Sequence, residues 1–286
     1  MANLSKKVPE NVPGKFFVDT TCIDCDICRK FAPTVFEDQG EFSFVKHQPE
    51  NHEEELNAKL ALLSCPVGSI GMVGDKDLKE ARKSLPFHLD GPVFLNGYSE
   101  EKTFGADSYF IKSPNGNWLI DSPRFVPDLV KAFESMGGIA YIFISHKDDI
   151  GNSAQFAKHF KAKRIINKYD AISDAEIILD GKEDEVIDKA RIVHTPGHTK
   201  GSQILLWDNK YLFTGDHYAY RKRIKAFGSF RDACWYSWEE QISSVEKMKN
   251  FKNVEFVYPG HGKRGQVPKG EFPSIVEQSV LWMKTV

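Results

Sequence analysis

The chain has 286 residues, is 41% hydrophobic and 27% charged, and carries a formal net charge of −2 at pH 7. That balance gives no basic field to attract nucleic acid or an anionic membrane, and no apolar run reaches bilayer length. Residues 1–14, MANLSKKVPENVPG, hold lysines without the apolar core of a secretory signal. Only 5 cysteines are present and most are grouped, which suits metal ligation in a reducing compartment, so a cytoplasmic location is expected. The length fits one large domain or two unequal ones.

In chain order, Phe16-Phe17-Val18 reads as a strand entering TCIDCDICRKFAP, where Cys22, Cys25 and Cys28 are spaced C-x2-C-x2-C. Phe42-Ser43-Phe44-Val45 alternates like a second strand. Glu54 to Leu63 has the pattern of an amphipathic helix that delivers Cys65, and Pro66 stops it. Three crowded thiolates can wrap one corner of a cuboidal cluster, and a remote fourth can close it. A four-thiolate zinc site, the alternative, usually pairs two C-x2-4-C knuckles. The segment resembles single-cluster bacterial-type ferredoxins. That resemblance implies a [4Fe-4S] cluster on Cys22, Cys25, Cys28 and Cys65, in a small α+β ferredoxin-like domain. Cys234 has no cysteine partner and reads as an ordinary buried thiol.

A joint is expected between Ile70 and Pro92, where glycines, charges and prolines mix. It divides the chain into a ferredoxin-like domain over 1–80 and a larger α/β domain over 81–286. Beyond it, Ala106 to Lys112 and Trp118 to Asp121 are apolar runs joined by SPNGN, a hairpin signal. Phe125 to Met136 has helical spacing and ends at Gly137-Gly138. AYIFIS is a continuous apolar run, the pattern of a buried strand. It leads into His146, Lys147, Asp148 and Asp149. Three later runs also end in ligand-type residues: RIVHTPGHTKGS holds His194 and His198, KYLFTGDHYAY holds Asp216 and His217, and VEFVYPGHG holds His261. Strand C-termini are where α/β proteins assemble ligand sites.

HTPGHTKGS, FTGD and YPGHG resemble the later motifs of the metallo-β-lactamase superfamily, and NWLIDSP resembles its early strand. The resemblance covers most of residues 91–286 and implies an αβ/βα sandwich with a metal site along one edge. The family's leading motif is usually H-x-H-x-D-H, whereas this chain has ISHKDDIGNS. In one register His146 stands for the first histidine and Asp148 for the second. In the other, Asp148-Asp149 stand for the Asp-His pair and Ile144 replaces the first histidine; AYIFIS favours the former. His146, His198 and Asp216 then resemble the mononuclear iron site of the persulfide dioxygenase branch. Flavodiiron proteins, another branch, also use carboxylate-rich sites, but this chain has no flavodoxin-sized partner domain. Two imidazoles and a carboxylate suit non-haem Fe(II). Asp148 and His261 are expected as ligands of a second metal or as groups orienting the first. Iron, one ion or two, is therefore expected, with zinc or manganese as alternatives.

Three functions remain open on the sequence. One is redox chemistry on a small-molecule substrate at a cluster-linked iron, fed by an electron-donor protein. The second is metal-dependent hydrolysis of an ester, thioester or phosphodiester, with Asp148 or Asp149 as base and the cluster as staple or sensor. The third is electron transfer alone, with a degenerate, metal-free second domain. The basic stretch from Arg221 to Asp232 offers a docking surface for an acidic partner or substrate.

Overall fold

The computed structural model describes residues 2–74 and 76–286. The chain divides into two compact units, Met1–Lys112 with Ser122–Gly138, and Ser113–Asp121 with Ile139–Val286.

The first unit opens with β1 (Phe16–Val18), α1 (Ile27–Phe31), β2 (Phe36–Asp38), β3 (Ser43–Val45), α2 (His52–Ser64) and β4 (Ile70–Met72). β1 pairs antiparallel with β4, and β2 with β3. Each of these strands is only 3 residues long, so the ladders need help. The buried Asn11 side chain supplies it: its Oδ1 accepts from the amides of Val18 and Val45, and its Nδ2 donates to the carbonyls of Val8 and Val18. One fully satisfied amide thus ties the N-terminal arm, β1 and β3 together. α2 starts where Asn51 accepts from the Glu54 amide at 2.9 Å, while the Glu54 carboxylate accepts from the Glu50 amide. The helix ends at Ser64, leaving Cys65 as its C-cap.

The segment expected to be a joint holds ordered elements among its described residues; Asp75 lies outside them. α3 (Lys79–Lys83) and β5 (Phe87–Asp90) follow β4 there. β5, β6 (Val93–Leu95) and β7 (Tyr109–Ile111) form an antiparallel run. α4 (Pro127–Ser135) stacks Phe133 on Phe110 at 4.9 Å. It begins later than Phe125 because Val126 precedes a proline and is extended, while Pro127 suits a first helical turn.

In the second unit β8 (Trp118–Ile120), β9 (Tyr141–Phe143), β10 (Lys163–Asn167) and β11 (Ile177–Leu179) lie side by side in parallel. α5 (Ser153–Phe160) makes the crossover from β9 to β10. The Asn115-Gly116 turn before β8 is real, with Gly116 at φ +113° and the Asn117 side chain accepting from the Ser113 amide. A second sheet contains β12 (Glu185–Ile187), β13 (Ala190–His194), β14 (Gln203–Trp207) and β15 (Tyr211–Gly215). A separate hairpin, β16 (Ala219–Arg221) with β17 (Ala226–Gly228), precedes α6 (Trp238–Lys247). β18 (Phe256–Pro259) and β19 (Gly265–Gln266) complete the second sheet, and α7 (Phe272–Met283) follows.

Within this unit the two sheets meet face to face. Trp118 stands edge-on to Trp207 at 6.0 Å, and Gln203 donates to the carbonyls of Ile144 and Ser145. On the far side of the second sheet, Ile204, Leu206, Leu212 and Val257 share a core with Val245, Val276 and Val280. The layering is that of a mixed α/β sandwich. Among the described residues no helix is long and apolar enough to cross a membrane.

Candidate metal centres

In the first unit, Cys22, Cys25, Cys28 and Cys65 all line one cavity, closed by Val18, Ile23, Ile27, Val67 and Ile70. Cys28 and Cys65 are buried and the other two partly so. Burial pushes the Cys25 thiol up to about 12, and raises Cys28 as well. The Cys25 and Cys28 thiols, so buried, are poor nucleophiles, and the four cysteines together are a matched cage for a cation-rich cluster that keeps its ligands deprotonated. The residues fit a [4Fe-4S] group. Gly105, at φ +82°, closes the flank: a Cβ there would meet Cys25 Cβ at 2.7 Å, its Sγ at 2.9 Å, and Pro66 at 3.1 Å. The segment carrying Gly105 is anchored by a buried Lys30–Asp107 ion pair of 3.1 Å.

In the second unit, His146, His198 and Asp216 each place a ligand atom within 4.8 Å of the others. Asp216 Oδ2 lies 3.7 Å from His146 Nε2 and 3.8 Å from His198 Nε2. Both Nε2 atoms and Asp216 Oδ1 are buried without a hydrogen-bond partner. Orphaned buried polar atoms are costly, so two bare imidazole nitrogens facing Asp216 Oδ2 are what a metal site looks like before the ion is considered. The other ring nitrogens are held: His146 Nδ1 by the Ser145 hydroxyl at 2.9 Å, His198 Nδ1 by the Ala233 carbonyl at 2.5 Å. Fixing Nδ1 leaves Nε2 free to coordinate. The residues fit a divalent ion.

The surrounding charge is layered. Asp148 is half-exposed (48%), with Oδ2 3.8 Å from His146 Nε2 and 3.7 Å from His198 Nε2. The neighbouring His198 imidazole, helped by His146, holds its carboxyl below the usual range. Burial pulls His146 down to about 4, whereas for His198 the nearby Asp148 and Asp216 outweigh burial and raise it. Asp216 stays below its ordinary value because His261, His146 and His198 overcome its burial. Behind it sit two buried acids. Burial, reinforced by Asp216, raises Asp149 well above the carboxylate range, and burial raises Asp121 to about 7. Asp149 is 1% exposed and backs the site.

His261 stands at the edge, with Nε2 3.9 Å from Asp216 Oδ2. His194 stays outside the cluster, its Nε2 donating to the Lys200 carbonyl and its ring stacking on Tyr169. His217 is buried and both ring nitrogens lack partners. Cys234 is only partly buried, its thiol donating to the Gly197 carbonyl. Arg221 is no free docking charge: its guanidinium packs on Phe230 and Trp282 and donates to the Ser229 carbonyl.

Two positioning residues, Asp170 and Asp121, are not singled out in the sequence. Asp170 binds the Thr199 hydroxyl and accepts from the amides of Lys147 and Gly201, so it fixes both the HKDD turn and the HTPGHTKGS turn. Asp121 accepts from the Ser145 amide at 2.7 Å and so sets the entry to His146. It lies within NWLIDSP, at the end of an apolar run, which is the cue that could have marked it.

The chain belongs to the metallo-beta-lactamase superfamily, whose family pattern it matches over residues 94–266. Residues 18–72 match the 4Fe-4S single cluster domain of Ferredoxin I. A probable metallo-hydrolase of Methanocaldococcus jannaschii is 33% identical over 84 residues, 26% of this chain. The match spans 34% of that curated relative, about a third of its length. Among solved structures, a metallo-beta-lactamase from Hirschia baltica is 14% identical, with TM-score 0.53, covering 68% of this chain and 95% of that one. ETHE1 from Myxococcus xanthus is 17% identical, with TM-score 0.48, covering 67% and 90%. At such identities the likeness of the Hirschia baltica structure is one of fold.

Proposed function

We propose that the protein is a redox metalloenzyme, with a cluster domain over 1–80 serving a metallo-β-lactamase-like domain over 81–286. In it Cys22, Cys25, Cys28 and Cys65 would hold a [4Fe-4S] cluster that supplies electrons, and His146, His198 and Asp216 would hold a non-haem iron that uses them. The observation that carries this reading is the convergence of two orphaned imidazole nitrogens and a carboxylate in one buried pocket. That donor set with open positions suits Fe(II), which when bound supplies a redox-active site for substrate or O2. An electron carrier in the same chain gives that chemistry a purpose.

The protein's own groups shape the pocket. Ser145 and the Ala233 carbonyl hold the two rings in place, and burial favours the neutral form of Asp149, which limits the negative charge behind Asp216. Asp148 stays ionised at the mouth. Trp235 is 67% exposed with its ring 6.2 Å from that of His198, forming an apolar wall for a small-molecule substrate. Electrons are proposed to arrive from a donor protein. Metal analysis of anaerobically purified protein tests the reading: iron beyond the cluster's share is expected, one further ion or, with His261 recruited, two. Zinc alone outside the cluster would sink it.

A second reading is hydrolysis, favoured by one observation. Asp148 is ionised, solvent-reachable and beside both imidazoles, the placement of a general base. It predicts turnover of esters, thioesters or phosphodiesters with the cluster kept oxidised and no donor present. No turnover across that panel by metal-replete protein counts against it. The third reading, a metal-free second domain, leaves the two bare imidazole nitrogens unexplained.

A further inference from the structure

Two serines share the cavity of the cluster cysteines, and both are buried, Ser43 at 1% and Ser69 at 2% exposure. The Ser69 amide donates to Cys65 Sγ at 3.3 Å, and its hydroxyl lies 3.3 Å from the same sulfur. The Ser43 amide donates to Cys22 Sγ at 3.4 Å. The Ser43 hydroxyl is buried beside Cys28 and makes no hydrogen bond of normal geometry. A buried hydroxyl is seldom left unpaired, and this one belongs to a residue lining the pocket of four cysteines, where sulfur is the acceptor to hand.

We propose that Ser43 and Ser69 set the reduction potential of the cluster by hydrogen-bonding its sulfurs from two sides. Ser69 donates to the Cys65 thiolate through its amide and hydroxyl. Ser43 donates to the Cys22 thiolate through its amide, and its hydroxyl, beside Cys28, is placed to donate to that thiolate or to a cluster sulfide. Reduction adds one electron, taken from an external one-electron donor, and one unit of negative charge to the cluster and its thiolates. Donors aimed at sulfur stabilise that extra charge more than the oxidised form, so they raise the potential. The remaining wall is aliphatic and works the other way, because low polarity disfavours added charge. The serines are thus the adjustable part of this cage.

This rests on the cluster reading but not on the metal site of the second unit. The test is a redox titration of full-length, cluster-loaded protein with dithionite, followed by electron paramagnetic resonance. Iron and sulfide content is measured on the same samples, so loss of the cluster is distinguished from a change in potential. Ser69→Ala and Ser43→Ala are each expected to lower the reduced-to-oxidised ratio at a fixed poise about tenfold, which is 59 mV for one electron. Ser69→Thr and Ser43→Thr keep the hydroxyl and are expected to stay near the wild-type potential. An unchanged potential in the loaded alanine variants overturns the proposal, as does a threonine variant that falls as far as alanine. If alanine prevents loading, proton hyperfine spectra of the reduced wild-type cluster decide. After a brief soak in D2O a strongly coupled hydroxyl proton should vanish, since buried amides exchange far more slowly. No rapidly lost proton overturns the proposal.

Discussion

A methyl group on Gly260 would sit 2.8 Å from Asp216 Oδ1 and 3.1 Å from Asp149 Oδ2. The glycine of YPGHG is therefore there to let two carboxylates close behind the metal pocket. Gly260→Ala should push Asp216 off its position and cost roughly 10–100-fold in metal affinity, as disturbed supporting groups do. Metal retained by the second unit after dialysis against a chelator measures this; full retention contradicts it. Asp170 makes a separate prediction, because three donors converge on its carboxylate. Asp170→Ala should cost about 3 kcal/mol by stranding buried donors, read as a fall in the unfolding midpoint of the second unit. His198, Asp216 and the cysteines were legible in sequence because ligand residues keep fixed spacings in turns. Asp170 was not. It sits in KYDAIS, and only the fold brings that stretch to Thr199.

Elements were read well where side-chain periodicity was the cause and poorly where a cap was. α2 was expected from Glu54 but starts at His52, because the helix is set by the Asn51–Glu54 pair rather than by its apolar face. Asn-x-x-Glu before an apolar run is a readable start signal, and here it marks the start better than hydrophobicity does. Asn51→Ala should cost about 1 kcal/mol of first-unit stability, checked by thermal unfolding. At the other end, the Leu63 carbonyl accepts from Arg124 at 2.6 Å and the Ser64 carbonyl from the Ser99 amide. Both donors lie far downstream, so no local pattern could show them. The segment between Ile70 and Pro92 misled for a related reason. Its charges and glycines read as a joint, yet elements of 3 to 5 residues fit between such punctuation.

For the molecule as a whole, the two units differ in what holds them. The second has long buried strands such as β14, all 5 residues buried, and a continuous apolar core. The first depends on 3-residue strands around a cavity that four cysteines line. Removing the cluster should therefore lower the melting of the first unit, with far less effect on the second, since metal binding energy there is folding energy. Calorimetry of cluster-loaded and cluster-free protein would show this as one transition shifting and one holding; equal shifts would contradict it. Gly105 adds a consequence about where such a protein can be cut. It presses on Cys25, yet it lies within residues 94–266, the stretch shared with metallo-beta-lactamases, and outside 18–72, the stretch shared with ferredoxins. The wall of the cysteine cavity is thus written in the other family's sequence. A fragment ending at residue 80 would carry all four ligands and lack that wall, and its cluster should bleach faster in air than that of the whole chain.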